Sequence, residues 1–130
     1  MAAHRIPYVA TATIAYPEDF IKKVLKAKEM RGTRFFDLLA PCPTGWRFDT
    51  KFSVRLLCMA VQSRVFPLLE VEDGIHWKVQ QPKETIPVRD YIKAQGRFSH
   101  LNDADIEAIE KDVDESWELL LAKASVVEEI

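Results

Sequence analysis

Cysteine is scarce in this sequence: two residues among 130, Cys42 and Cys58. That is too few for a disulfide scaffold, and it makes a reducing cytoplasm the default compartment. Glycine is scarce as well, with four residues, and none of them builds a phosphate-cradling Gly-rich loop. There is no G-x-S-x-G elbow, no H-E-x-x-H helix and no C-x-x-C pair. No apolar run approaches the ~18 residues that a membrane helix needs. Met1-Ala2-Ala3-His4-Arg5-Ile6-Pro7 lacks the apolar core of a secretion signal. A net charge of −2 argues against a dedicated nucleic-acid binder. What is present is 48% hydrophobic and 29% charged residues. That excludes a collagenous or disordered chain and leaves room for one domain with a buried core.

The charge is unevenly spread. Residues 1–101 hold 16 Lys/Arg against 10 Asp/Glu, whereas residues 102–130 hold 2 against 10. The plain reading is a mildly basic body, 1–101, with a solvated acidic helix, 102–130, packed on it. The sharper reading is that the basic body docks an acidic protein, because opposite fields steer encounter.

Tyr8-Val9-Ala10-Thr11-Ala12-Thr13-Ile14 is small, β-branched and largely apolar, as in a buried strand. Pro17 suits the first turn of a helix, and Glu18 and Asp19 suit its positive end. Phe20, Ile21, Val24, Leu25 and Ala27 form an apolar face, with Lys22, Lys23, Lys26 and Lys28 on the other sides. Gly32 supplies the stop. Phe35-Phe36-Asp37-Leu38-Leu39-Ala40 reads as a second buried strand. Strand, amphipathic helix and strand in this order make a βαβ unit with parallel strands and a right-handed crossover.

Pro41-Cys42-Pro43-Thr44-Gly45-Trp46-Arg47 follows directly on the second strand. In open α/β sheets this is the edge where ligands gather. The two prolines are expected to fix the backbone and to keep a helix from starting. Asp49 or Thr50 caps a helix over 51–63, with Phe52, Leu56, Leu57, Met59, Ala60 and Val61 inward. Phe66–Val71 and Ile75–Val79 bracket Asp73-Gly74, the strong two-residue hairpin signal. Ile75, Trp77 and Val79 share one face. A linker over 81–85 precedes a short helix over 87–94. Asn102 caps the last helix, Asp105 completes a capping box, and Leu101 with Ile106 forms a hydrophobic staple. Ile106, Ile109, Val113, Trp117, Leu120 and Leu121 recur at three and four. Residues 124–130 are expected to fray.

Only two strands belong to the parallel unit, and such a sheet has open edges and uncovered faces. The first strand begins almost at residue 1. We therefore expect a neighbouring polypeptide, or a missing N-terminal portion, to supply the rest of the sheet. The alternative is that the hairpin joins this sheet and closes a small α+β domain.

His4, His76 and His100 fall in different elements with no ligand spacing and are expected to be structural or exposed. The carboxylates of the last helix, such as Asp114 and Glu115, are its solvated face. Cys58, among Leu57, Met59 and Val61, behaves as a small core hydrophobe. Cys42 is the exception, held on a Pro-bounded turn at the ligand edge. A nucleophile needs a nearby base, and no histidine is placed there. A metal ligand needs partner thiolates, and a cubane cluster typically takes four cysteines. The residues alone favour a buried structural cysteine, and leave open that the remaining ligands lie on a missing part of the sheet.

Ile6-Pro7-Tyr8-Val9-Ala10-Thr11-Ala12 and Tyr16-Pro17-Glu18-Asp19-Phe20 resemble the C-terminal portion of the thiamine-diphosphate-binding β subunit of the 2-oxoacid:ferredoxin oxidoreductases. The likeness is closest to the pyruvate synthase type. Leu39-Ala40-Pro41-Cys42-Pro43-Thr44-Gly45-Trp46 carries the most specific match, and Val88–Tyr91, Lys93-Ala94-Gln95-Gly96-Arg97-Phe98 and His100-Leu101 resemble the family's tail. The resemblance runs over nearly the whole chain. It implies part of a doubly wound α/β sheet, with a hairpin and helices following. It also implies thiamine diphosphate with Mg²⁺, and a [4Fe–4S] cluster near the thiamine. Three cluster cysteines lie early in such a subunit, and the fourth comes from the turn after a late strand. Cys42 occupies that place, which makes it the expected metal ligand. The G-D-G motif with its Asn and the C-x-x-C pair are absent here, so these residues alone are not expected to bind thiamine or a cluster, or to be active. The activity implied is reversible oxidative decarboxylation of pyruvate to acetyl-CoA and CO₂, with electrons passing to ferredoxin. Its partners would be other oxidoreductase subunits or the rest of the β subunit, ferredoxin, the 2-oxoacid and coenzyme A. The alternatives are a relative acting on another 2-oxoacid, and a non-catalytic docking module.

Overall fold

The computed structural model describes residues 1–129, with side chains over residues 1–125. Its elements are β1 (Tyr8–Thr13), α1 (Pro17–Glu29), β2 (Arg34–Leu39), α2 (Pro43–Trp46), α3 (Ser53–Gln62), β3 (Leu69–Glu72), β4 (His76–Gln81), α4 (Val88–Lys93), α5 (Asp103–Lys123) and β5 (Ala124–Glu129). The architecture is α/β, and β1–α1–β2 is the expected parallel unit, with Ala10 opposite Phe36. The hairpin is not an appendage. β3 pairs antiparallel with β1, giving a five-stranded sheet in the order β2-β1-β3-β4-β5. The sheet is therefore mixed, parallel at its two ends and antiparallel in the middle.

The hairpin turn forms as the sequence predicts. Asp73 and Gly74 both have positive φ, 53° and 74°, as the tight turn between twisted strands requires. A Cβ on Gly74 would lie 2.5 Å from the Ala2 carbonyl oxygen, so the N-terminal turn also closes over this position. Ile75 falls in the turn and is exposed, whereas Val79 is fully buried. Residues 124–129 do not fray. Their backbone adds β5 alongside β4, because the free edge of β4 offers unpaired ladder groups where α5 ends. Ile130 lies outside the described residues.

Beyond the βαβ unit, helices cover one sheet face. Leu56 and Ala60 of α3 pack with Tyr91 of α4, joined by Leu39 at the end of β2. Val88 and Ile92 of α4 pack on Ile106 of α5, with Leu101 beside it, as the staple predicts. The capping box at Asn102 and Asp105 is formed in both directions, each bond 3.0 Å. Arg89 of α4 grips Glu110 of α5 through Nε and Nη2 at 3.0 and 2.7 Å. Phe52 is not inward. It ends a short turn capped by Asp49 and stays exposed, because α3 starts only at Ser53.

The largest departure from expectation is the rotation of α1. Lys23, expected on a solvent side, is 1% exposed, while Ile21 and Leu25, expected inward, are 58% and 55% exposed. The reason is the sheet face beneath. Strand alternation and register place Tyr8, Glu70, Glu72, Lys78 and Gln80 on the face that α1 covers. That face is polar, so the helix turns polar groups toward it. Lys23 Nζ donates to Asp19 Oδ2 at 2.7 Å and to the Thr11 carbonyl at 2.9 Å. Gln80 Nε2 donates to Asp19 Oδ1 at 2.6 Å. Lys26 bridges Glu70 and Glu72, Lys78 also reaches Glu72, and the Tyr8 hydroxyl donates to Glu70. Burial, reinforced by Glu70, pushes the Tyr8 hydroxyl far above the usual phenol range. Burial pulls the Lys23 ammonium down, against the opposing pull of Asp19.

Lys23→Met leaves the Asp19 carboxylate buried without its cation and should destabilise the fold by about 3 kcal/mol. Lys23→Met with Asp19→Asn should recover most of that loss, as read by urea denaturation. Hydrogen bonds from Lys26 and Lys78 hold the Glu72 carboxyl below the usual range, and Arg89 does the same for Glu110. Both contributions are present above the ordinary Glu value of 4.5 and are lost as pH falls from there through the depressed folded-state values. Melting temperature should therefore drop below pH 4.5, with a shallower drop in Glu72→Gln.

Candidate functional site

The residue singled out by sequence lies where the βαβ unit places it, just past the C-terminal end of β2. Pro43 does not block a helix there. It occupies the first position of the one-turn helix α2, where its missing N–H has no bond to lose. Cys42 is the N-cap residue, and its Sγ accepts the Gly45 N–H at 3.4 Å. The Cys42 carbonyl accepts the Trp46 N–H at 2.8 Å. The thiol itself is exposed, which departs from the buried structural cysteine favoured by the residues alone.

Gly45 is explained by space. A Cβ built on it would lie 3.1 Å from Cys42 Sγ, inside ordinary van der Waals contact. The missing side chain leaves one flank of the sulfur open while the N–H of the same residue bonds to it. Thr44 and Gly45 are exposed beside the thiol. Trp46 is half-buried, tilted against Phe48 at 6.1 Å between ring centroids.

Sequence reasoning assigned no role to Arg97, which braces this turn. Its guanidinium lies 4.4 Å from the Trp46 ring centroid and 4.5 Å from that of Phe98, at cation–π distance from both. The adjoining Gly96 N–H donates to the Arg47 carbonyl at 3.0 Å, and a Cβ on Gly96 would lie 2.8 Å from that oxygen. The turn after β2 is thus held from the far side by the segment after α4. The only sequence signal was a Gly-Arg-Phe run about fifty positions downstream; spacing alone does not join the two.

The other candidates do not gather here. Cys58 is half-buried on α3 and lines a cleft of about 610 Å³ with Leu56, Met59, Ile86 and Lys93. Burial pushes its thiol up, away from the thiolate form. His4, His76 and His100 sit in three separate elements. Among the described residues, no group of three or more His, Cys, Asp and Glu side chains is arranged to hold a metal ion. The turn fits an iron–sulfur cluster as one ligand of several: an exposed sulfur, one N–H donor to it and an open flank. N–H donors to a thiolate stabilise its charge and tune a metal it binds.

No family model matches the chain. Individual proteins do. The ketoisovalerate oxidoreductase subunit VorB of Pyrococcus furiosus is 50% identical over 127 residues, covering 95% of this chain and 40% of VorB. The pyruvate synthase subunit PorB of Methanocaldococcus jannaschii is 48% identical over 120 residues, covering 92% of this chain and 40% of PorB. The pyruvate synthase subunit PorB of Pyrococcus furiosus is 38% identical over 143 aligned positions, covering 95% of this chain and 43% of that subunit. The chain thus spans about 40% of the length of the first two relatives. Over its matched length it belongs with the β subunits of the 2-oxoacid:ferredoxin oxidoreductases.

Proposed function

We propose that this chain is part of the β subunit of a pyruvate:ferredoxin oxidoreductase, and that Cys42 supplies one thiolate to a [4Fe–4S] cluster whose other ligands lie outside the chain. The observation that carries the reading is the turn after β2: an exposed Cys42 sulfur, bonded by the Gly45 N–H and left open by the missing Gly45 Cβ. The assembled enzyme would carry out reversible oxidative decarboxylation of pyruvate to acetyl-CoA and CO₂. When bound, thiamine diphosphate with Mg²⁺ supplies the electron sink for loss of CO₂, and the cluster supplies a one-electron route to ferredoxin. Both cofactors depend on residues contributed by other subunits or by the remainder of the β subunit.

This chain's own work is positional. Pro43 and the Cys42 N-cap fix the direction of the sulfur, and the Gly45 N–H donates to it at 3.4 Å. Arg97 and Gly96 hold the turn against the body of the fold. Among the described residues, no helix is long and apolar enough to cross a membrane. A cytoplasmic setting is part of the same proposal. A second reading differs only in substrate. Ketoisovalerate oxidoreductase subunits match at 47–50% identity and a pyruvate synthase subunit at 48%, so a branched-chain 2-oxoacid is the alternative substrate.

In the assembled enzyme, Cys42→Ser should lower iron content and ferredoxin reduction, while Cys58→Ser leaves both unchanged. Equal iron in wild type and Cys42→Ser overturns the ligand role. Gly45→Ala puts a methyl group against the sulfur and should cost iron retention without unfolding the chain, as read by iron analysis beside circular dichroism. Comparing kcat/KM for pyruvate and for ketoisovalerate decides between the substrates; the pyruvate reading expects the higher value for pyruvate.

A further inference from the structure

We infer that the cleft between α3 and α4 is a binding site for a nucleoside monophosphate, with the phosphate held between Arg55 and Lys93. No residue of the Cys42 turn lines this cleft, so the site is independent of any role for Cys42.

The two helices run in opposite directions along the cleft. At one end the Ile86 N–H donates to the Gln62 carbonyl at 3.2 Å. Further along, Tyr91 packs with Leu56 and Ala60. α4 therefore ascends as α3 descends, which brings Lys93 level with Arg55 and Asp90 level with Cys58. These four residues line the cleft from its two walls. The floor is apolar: Leu56 is buried there, with Met59 and Ile86 half-buried beside it. The volume of about 610 Å³ lies within the roughly 300–1,000 Å³ typical of small-molecule sites.

The charges define the anion. Arg55 and Lys93 are like charges on opposite walls, an arrangement that costs energy until an anion lies between them. Neither is neutralised by the fold. Among the described residues Arg55 makes no ion pair, and the ion pair of Lys93, with Asp103, is 3.8 Å long between exposed side chains. A surface pair of that kind contributes little. Lys51 lies over the Phe52 ring at 5.0 Å but is already paired with Asp49 at 3.1 Å, which leaves the anion to Arg55 and Lys93. A phosphate monoester, close to dianionic at neutral pH, matches two cations, where a carboxylate matches one.

The rest of the lining defines what carries the phosphate. Asp90 lies one turn before Lys93 on α4, and its carboxylate makes no bond among the described residues. Beside a phosphate, a free carboxylate calls for neutral donors, such as the paired hydroxyls of a ribose. Phe52 is 40% exposed and offers an aromatic ring for a base to stack on. It lies three residues before Arg55, so ring and cation share one side of the cleft.

Calorimetric titration of this chain with AMP tests the site. A Kd at or below about 1 mM is expected, with adenosine and inorganic phosphate each at least about tenfold weaker. Arg55→Met and Lys93→Met should each weaken AMP binding by about tenfold or more, the scale of one charge-assisted hydrogen bond. Both variants should melt with wild type, because both side chains are exposed. Lys28→Met, which removes an exposed lysine from α1, should leave affinity unchanged. The thiols report where AMP sits. At about ten times its Kd, AMP should slow alkylation of Cys58 about tenfold and leave Cys42, outside the cleft, unaffected. A Kd for AMP above about 1 mM, adenosine or phosphate binding as tightly as AMP, either cation variant binding like wild type, a loss in Lys28→Met equal to theirs, or an unprotected Cys58 would each overturn the inference.

Discussion

The buried Lys23 ammonium is the interaction from which the arrangement of the βαβ unit follows. Its bonds run to Asp19 on its own helix and to the Thr11 carbonyl on β1, and Asp19 is tied in turn to Gln80 on β4. A cation taken out of water must have such partners, and their positions leave little choice of angle. The bonds therefore fix the rotation of α1 about its axis. With Lys23 and Lys26 committed to the sheet, the apolar positions of the same helix turn elsewhere. Phe20 goes to β2, and Ile21, Val24 and Leu25 go to the outside.

The same unit delivers the turn that carries Cys42. β2 ends at Leu39, which is anchored in the core formed with α3 and α4. The chain then has two residues before Cys42 and one turn of helix after it. Pro43 and Gly45 make that helical turn compatible with a sulfur that is both bonded and open. The brace comes from far along the chain, where Arg97 stacks on Trp46 and the Gly96 amide holds the Arg47 carbonyl. That support from outside the turn holds the direction in which the Cys42 sulfur points.

Much of this was legible from residue order. Asp73-Gly74 announced the hairpin, Asn102 and Asp105 announced the start of α5, and Pro17 announced the start of α1, whereas α1 stops at Glu29 with an extended Met30 as its cap, short of the Gly32 expected to end it. The Pro-Cys-Pro turn was visible as an exception even before any likeness was considered. The departures have two causes. Periodicity reports which residues share a helix face, and not what lies opposite that face, so Ile21 and Leu25 face outward against expectation; residues 124–129 likewise pair with β4, a neighbour remote in sequence. Phe52 and Ile75 depart for a local reason, because α3 and β4 each begin one residue later. Cys58 was read as core, yet it lines an open cleft between α3 and α4.

By itself, then, the sequence determined most of the local elements and the parallel pairing of β1 with β2, which rest on short-range rules of capping, turn geometry and backbone restriction. Only the tertiary structure decided that β3 joins β1, that a polar sheet face draws Lys23 inward, and that Arg97 meets Trp46. Those outcomes come from matching surfaces brought together by folding. A charged side chain follows its partner in space, and no spacing along the chain records where that partner will be.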